Sequence, residues 1–455
     1  MESTVAAIAT PLASSGIGVV RISGPQALDV AAAVFRPARQ GRSVLRMAGY
    51  TAAFGRVADA DGAFDECVLT VFRAPHSYTG EDVAELSCHG GPYLLRRALQ
   101  AAYAAGAVPA GPGEFTKRAF LNGKTDLTGA EAVMSIIGAQ GKLAARTALA
   151  AREGAVFQVL AQVRGALLGV QAQFSAFVDY PDEEIPDLSP QALRQTLAQA
   201  QDVLRRLIGS FEAGRVLREG IDTVIVGAPN VGKSTLMNLL AHSERSIVTP
   251  VAGTTRDVVE ETVRLGDVCL RLADTAGLHE TADPVEQIGV ARARGRLQSA
   301  ALVLAVFDTA RPLGTDDQEL LDALDPEHTI AILNKTDLPG RFPAQAVRQR
   351  FPHTVEMAAG TGLGLDALQQ QVEQVTGLCR LTEDTPLLAG ERQLACARRA
   401  YEALEQALRA LDDGMTLDAV SVQVDEALGA VLELTGEKVT DAVVDEIFSR
   451  FCVGK

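Results

Sequence analysis

Apolar and polar positions change their rhythm three times along this chain. Up to about residue 120, short β-like runs (17–22 and 67–72) are separated by Gly- and Pro-rich turns, which predicts a compact α+β domain. From about 125 to 217 the chain is rich in Ala, Leu, Gln and Arg, with apolar residues at helical spacing, so long helices are expected. The acidic segment Asp179-Tyr-Pro-Asp-Glu-Glu-Ile-Pro-Asp187 interrupts them, and its two prolines mark a loop. From about 218 to 380, buried-strand patterns at 223–226, 268–273, 302–307, 329–333 and 353–357 alternate with helical stretches, a doubly wound α/β pattern. After Pro386 the helical texture returns. The economical reading is an α/β domain inserted into an all-α helical domain through linkers near Gly220 and Pro386, behind an α+β N-terminal domain. The boundaries expected are 1–122, 123–217, 218–380 and 381–455.

Composition narrows this only in part. A length of 455 residues suits roughly three domains of about 150 residues each. A net charge of −15 argues against indiscriminate nucleic-acid binding, which needs clustered Lys and Arg, but leaves room for a local basic face. Six scattered cysteines contain no C-x-x-C pair, so neither a zinc template nor a disulfide framework is expected. Met1-Glu2-Ser3 lacks a basic start, Pro11 breaks the apolar stretch behind it, and no apolar run approaches 18 residues. A cytoplasmic protein without a membrane span is expected.

The chemistry is concentrated in the α/β segment. Gly227-Ala-Pro-Asn-Val-Gly-Lys-Ser234 fits the P-loop pattern and follows a strand pattern. The glycines, Gly227 and Gly232, let main-chain N–H groups from Asn230 and Val231 onward turn around phosphates at a helix N-terminus. Lys233 would meet the β- and γ-phosphates, Ser234 would ligate magnesium, and Thr235 continues the loop into the helix. Asp274-Thr275-Ala276-Gly277 ends a second strand, with a carboxylate for magnesium through water and Gly277 for the γ-phosphate. Asn334-Lys335-Thr-Asp337 ends a third, where the Asp337 carboxylate can take both ring N–H donors of guanine, a pairing adenine cannot offer. These three pieces in order imply GTP and GDP as ligands. The usual Ser-Ala-Lys guanine loop reads Ala358-Ala359-Gly360 here; the serine hydroxyl is missing, and the Ala359 N–H remains to serve the guanine oxygen. Leu278 stands where many GTPases carry a water-orienting glutamine. His279, Glu280, Asp283, Glu286 and Gln287 follow as candidates, and spacing does not choose among them.

The P-loop, Gly253-Thr-Thr-Arg-Asp257 and Asp274-Thr-Ala-Gly-Leu278 together resemble the MnmE (TrmE) family of tRNA-modification GTPases. So do Tyr78-Thr-Gly-Glu-Asp82, His89-Gly-Gly91, Pro112-Gly-Glu-Phe115, Arg118-Ala-Phe-Leu-Asn122 and the ending Phe451-Cys-Val-Gly-Lys455. The resemblance spans essentially the whole chain. It implies a homodimer whose G domains meet face to face, and a potassium ion in place of an arginine finger. That ion would be held by Asn230 with Thr249, Val251 and Thr254, while Thr255 would join Ser234 on magnesium. Thr249 and Thr255 also fall within the family's nucleotide contacts. Glu286 takes the water-organising role. A cation there would neutralise charge spreading over the transferring phosphoryl group.

The same resemblance makes the N-terminal domain a folate site, binding a tetrahydrofolate derivative (5-formyl or 5,10-methylene form) through Arg21, Glu85, Lys124 and Lys455. It implies a flavin-dependent MnmG (GidA)-type partner and tRNA as substrate, with a 5-carboxymethylaminomethyl group placed on the wobble uridine. Cys452, beside Gly454 and Lys455, becomes a candidate for the chemical step. Read without the resemblance, Arg21 and Lys124 are ordinary surface charges.

Overall fold

The computed structural model describes residues 3–179, 189–242, 261–272 and 300–455. Chain contacts divide it into two compact units: residues 1–134, 151–202 and 395–455, and residues 135–150 with 203–394.

The first unit is built on a seven-stranded sheet. Its strands are β1 (Val5–Ile8), β2 (Ser15–Ser23), β3 (Phe35–Pro37), β4 (Thr51–Asp59), β5 (Gly62–Phe72), β6 (Val83–Gly90) and β7 (Val108–Pro109). They lie in the order β3-β4-β5-β6-β2-β1-β7, antiparallel except for the short β1–β7 pair. Period-two alternation sends Val20, Ile22, Leu69, Val71, Ala84 and Leu86 into one core, against helices Ala27–Val34 and Pro92–Ala104. The opposite face carries Val19, Arg21, Val68, Thr70, Glu85 and Ser87.

Helices complete this unit. Among the described residues one window, Ala155–Ala176, is long and apolar enough to cross a membrane, although no contiguous apolar run reaches 18 residues. Its buried positions Leu160, Val163, Leu167, Val170 and Phe174 recur every three or four residues. They form one stripe packing on helix Leu417–Thr435. Arg164 in the same helix pairs with Glu437 at 2.5 Å. The C-terminal helix Asp441–Ser449 is pinned by Phe448, which packs against Phe120 and Phe451 beside Leu127 and Val133.

The second unit holds a six-stranded sheet: β8 (Ile221–Val226), β9 (Glu261–Leu265), β10 (Val268–Leu272), β11 (Leu302–Asp308), β12 (Thr329–Asn334) and β13 (His353–Glu356). The order is β13-β12-β11-β8-β10-β9, parallel except for the edge strand β9. The run 302–307 is buried along its whole length, as a central parallel strand covered on both faces must be. The five strand patterns read from the sequence are all present; the antiparallel edge β9 went unread. Residues 180–188, which contain most of the acidic Pro segment, lie outside the described residues. The helices expected on either side of it, Ala155–Asp179 and Pro190–Gly209, form.

Candidate functional site

Every described part of the nucleotide site lies at the C-terminal end of a parallel strand, the edge where ligands bind in open α/β sheets. β8 ends at Val226 and the P-loop follows. Gly227 (φ 156°) passes so close to β11 that a side chain would strike the Val306 carbonyl, and Gly232 (φ 102°) passes as closely to the Asn334 amide. Both approaches are open to glycine alone. Helix Lys233–His242 starts here, with Ser234 and Thr235 exposed on its first turn.

Lys233 donates to the carbonyls of Gly227 (2.7 Å) and Ala228 (2.9 Å). Burial holds its pKa below the ordinary lysine value, and the nearby Arg311 charge pushes the same way. Such an ammonium gains much from an anion, because phosphate oxygens would offset both penalties.

Asn334, the last residue of β12, is buried and ties two loops together. Its amide nitrogen donates to the Val231 carbonyl (2.8 Å), and its oxygen accepts from the Ala359 N–H (3.0 Å). The Ala359 amide, expected to serve the guanine oxygen, is therefore engaged in fixing Asn334. Gly360, exposed, carries the next main-chain N–H of that loop. Ala358 is buried and its N–H donates to Leu363, closing the loop without the serine. Asp337 is exposed on the turn that follows β12.

Lys335, in the left-handed region (φ 64°), donates to the Asn230 carbonyl (2.9 Å) and to Asp308 (2.7 Å). Asp308 was not singled out from the sequence; a strand-end aspartate carries no motif of its own. Thr249, Val251, Thr254, Thr255, Asp274, Thr275, Ala276, Gly277, Leu278 and Glu286 lie outside the described residues. Two described residues suit the implied ions. Ser234 offers an exposed hydroxyl for magnesium, and Asn230 an exposed side chain at the P-loop rim for potassium.

A second cluster forms on the open face of the first unit's sheet. Arg21 and Glu85 are cross-strand partners on β2 and β6, joined at 2.7 Å. Arg21 also donates to the Gly454 carbonyl at 3.3 Å, and its guanidinium lies near the rings of Phe115 (5.4 Å) and Tyr78 (5.6 Å). The chain's end is seated here by main-chain bonds. Gly113 N–H donates to the Cys452 carbonyl (3.3 Å), Phe115 N–H to that of Lys455 (3.1 Å), and Pro112 bridges Val453. Gly454 (φ 96°) packs against the Ile8 carbonyl, where a Cβ would stand 2.5 Å away. The loop Pro112-Gly-Glu-Phe115 and the ending Phe451-Cys-Val-Gly-Lys455, two separate sequence signatures, are thus one contact.

Lys124 is exposed and reaches the Pro75 carbonyl at 3.1 Å, its stem alongside Gly80. Cys452 is exposed. Below the cluster, Arg118 is almost fully buried and is satisfied by Glu114 (3.0 Å), Glu81 (3.1 Å) and the Ser3 carbonyl (2.8 Å). Ser23 joins the network through Glu81 and Thr79. The Tyr78–Asp82 and Arg118–Asn122 signatures are therefore largely scaffolding for this corner. A partly buried carboxylate–guanidinium pair, its guanidinium near two aromatic rings, fits a flat heterocycle with an anionic tail, the chemistry of a folate.

Comparison with known proteins agrees with this geometry. The family profile of the MnmE helical domain matches residues 127–452, and that of the GTP-binding protein TrmE N-terminus matches residues 4–124. The tRNA modification GTPase MnmE of Symbiobacterium thermophilum is 44% identical, with 100% of both chains covered. That of Chloroflexus aurantiacus is 42% identical over 100% of both chains, and that of a Roseiflexus species 41% over 100% of this chain and 99% of its own. A P-loop, a guanine loop and a folded-back C-terminus, carried on one chain with these relatives, place it as a GTP-hydrolysing enzyme, and the chain belongs to the MnmE (TrmE) family of tRNA modification GTPases.

Proposed function

We propose that this chain is a potassium-dependent GTPase that acts as a homodimer with a flavin-dependent MnmG (GidA)-type partner. Together they would install the 5-carboxymethylaminomethyl group on the wobble uridine of certain tRNAs, with a tetrahydrofolate derivative as one-carbon donor. The observation that carries this reading is the seating of the C-terminal tail on Arg21. It builds a site for a second chemistry in a protein whose nucleotide site already accounts for GTP.

In the nucleotide site, Lys233 and the P-loop amides bind the phosphates, Asp337 selects guanine, and Asn334 holds the two loops in register. Magnesium, held through Ser234 and Thr255, and potassium, held at Asn230 with Thr249, Val251 and Thr254, would supply positive charge against the phosphoryl oxygens. Glu286 would orient the attacking water in place of the glutamine that Leu278 replaces. In the other site, Glu85 would accept from the paired donors of a pterin, while Arg21, Lys124 and Lys455 would hold carboxylates. Cys452, exposed on the seated tail, is the candidate nucleophile. GTP turnover would drive a conformational cycle and contribute no atom to the product.

The test has two arms. Wobble uridines in tRNA from cells lacking this protein should lose the modified base by mass analysis, and the wild-type chain should restore it. Exchange of potassium for sodium should sharply slow GTP hydrolysis by the purified protein. Unchanged uridines would remove the tRNA reading, and equal turnover in sodium would remove the cation.

A further inference from the structure

β11 ends at Asp308, whose register partner is Asn334 at the end of β12. Its side chain is buried and divides its two oxygens between two tasks. One accepts from the Ala310 N–H at 2.9 Å and closes the turn that leaves the strand. The other accepts from Lys335 at 2.7 Å. The same ammonium donates to the Asn230 carbonyl at 2.9 Å. Lys335 and Asn230 have φ of 64° and 61°, so two non-glycine residues in the left-handed region face each other across one lysine tip. Asparagine tolerates that conformation, but it is unfavourable for lysine, and Lys335 keeps it only where surrounding bonds hold it.

We infer that Asp308 is a positioning residue for GTP turnover. It fixes Lys335 and, through the shared ammonium, the Asn230 peptide, so that guanine loop and P-loop are held in a single register. Three facts favour this over a turn-closing role alone. One oxygen suffices for the turn, yet the second is spent on Lys335. The lysine, tethered at its tip by two acceptors, gives up its rotamer freedom before guanine arrives instead of on binding. The residue at the far end of the tether is Asn230, whose exposed side chain stands at the P-loop rim. Occupation of the guanine loop is thereby linked to the position of the group proposed above as the potassium ligand. Only the potassium arm of the test rests on that reading.

Asp308→Asn separates the roles, since an amide keeps one acceptor oxygen and can close the turn or meet Lys335, not both. The variant should melt close to the wild-type temperature, bind GDP about tenfold more weakly and lower kcat/KM for GTP by a similar factor. In a Lys335→Met background, which removes the ammonium and keeps the stem, adding Asp308→Asn should change kcat/KM less than about twofold. The potassium concentration for half-maximal hydrolysis should rise several-fold in Asp308→Asn. Wild-type affinity in Asp308→Asn, or an undiminished further loss in the Lys335→Met background, would overturn the inference. A loss that only follows a fallen melting temperature would do the same. If wild-type hydrolysis is indifferent to potassium, the cation reading fails and the affinity and double-variant measurements decide Asp308 alone.

Discussion

The nucleotide site and the Arg21 cluster are assembled in opposite ways. The described pieces of the first, Gly227 to Ser234, Asp308, Asn334 to Asp337 and Ala358 to Gly360, each follow or finish their own strand of one parallel sheet. Strand order alone brings them together, and each piece keeps a local spacing that can be recognised before any fold is known. The second site is closed by a bond between Arg21 and Gly454, 433 residues apart. Nothing local in either residue announces the other. A phosphate cradle has few backbone solutions and so leaves a fixed glycine pattern. A charged pair between rings has many solutions and leaves none.

The largest effect should come from breaking the first assembly at its centre. Asn334→Ala removes two hydrogen bonds and leaves the Val231 carbonyl and the Ala359 N–H without their partner. A cost of about 3 kcal/mol, roughly a hundredfold in GDP affinity, is expected from fluorescence titration with a labelled nucleotide. Affinity within threefold of wild type would mean that the guanine loop holds itself, and the contrast between the sites would weaken.

The contrast sharpens with a substitution in the second site. Gly454→Ala places a side chain at φ 96°, against the Ile8 carbonyl. Strain and contact together, about 1–2 kcal/mol or more, exceed what a terminal segment held by a few main-chain bonds can resist. The tail should leave its seat, tRNA modification should fall at least about tenfold, and GTP hydrolysis per subunit should stay near wild type. Parallel loss of both activities would show that the two sites are not separable in this way.

The same contrast explains what could be read from the sequence. The strands 223–226, 302–307 and 329–333 were legible because buried parallel strands are continuous apolar runs, and 268–273 and 353–357, only partly buried, through their place in the strand–helix alternation. β4 was not: Thr51–Asp59 is rich in Ala and Gly, and Gly55 is there because the Phe35 ring and the Arg36 carbonyl leave no space for a side chain. Its identity as a strand is a packing fact. β9 is an antiparallel edge whose alternation is too short to stand out. Asn334, Lys335 and Lys233 were legible through their motifs. Asp308 was not, because its role lies in a bond to a residue 27 positions away. The signatures at Tyr78–Asp82 and Arg118–Asn122 were recognised for their resemblance, and part of their role is structural: Glu81 partners the buried Arg118 guanidinium, and Asn122 donates to the Thr79 carbonyl.

The smallest expected effect concerns His89, in a signature that neither site absorbs. Its ring nitrogen meets Asp65 at 2.6 Å and its main-chain N–H meets the other oxygen of the same carboxylate at 3.0 Å. Asp65 is buried, the imidazole is exposed, and the carboxylate raises the histidine pKa above its ordinary value. Because the folded-state pKa is raised, the contribution to stability is complete below the unfolded value of ~6.5 and is lost as pH climbs through the folded one. Thermal melting of the wild type should therefore decline slightly from mildly acidic to mildly alkaline pH, and His89→Gln should flatten that part of the profile. Solvent screens so exposed a ring, so the shift should be small, and salt should shrink it further. The nucleotide site provides the control, since the His89 pair lies on the other unit's sheet and the Asn334 amide that anchors the nucleotide loops carries no titratable charge. Whatever pH does to the nucleotide's own phosphate and to Lys233, GDP affinity should be the same in wild type and His89→Gln at each pH of the interval. An affinity difference between the two that tracked the melting profile would mean the nucleotide site feels the His89 titration, and its independence of the first unit would fail.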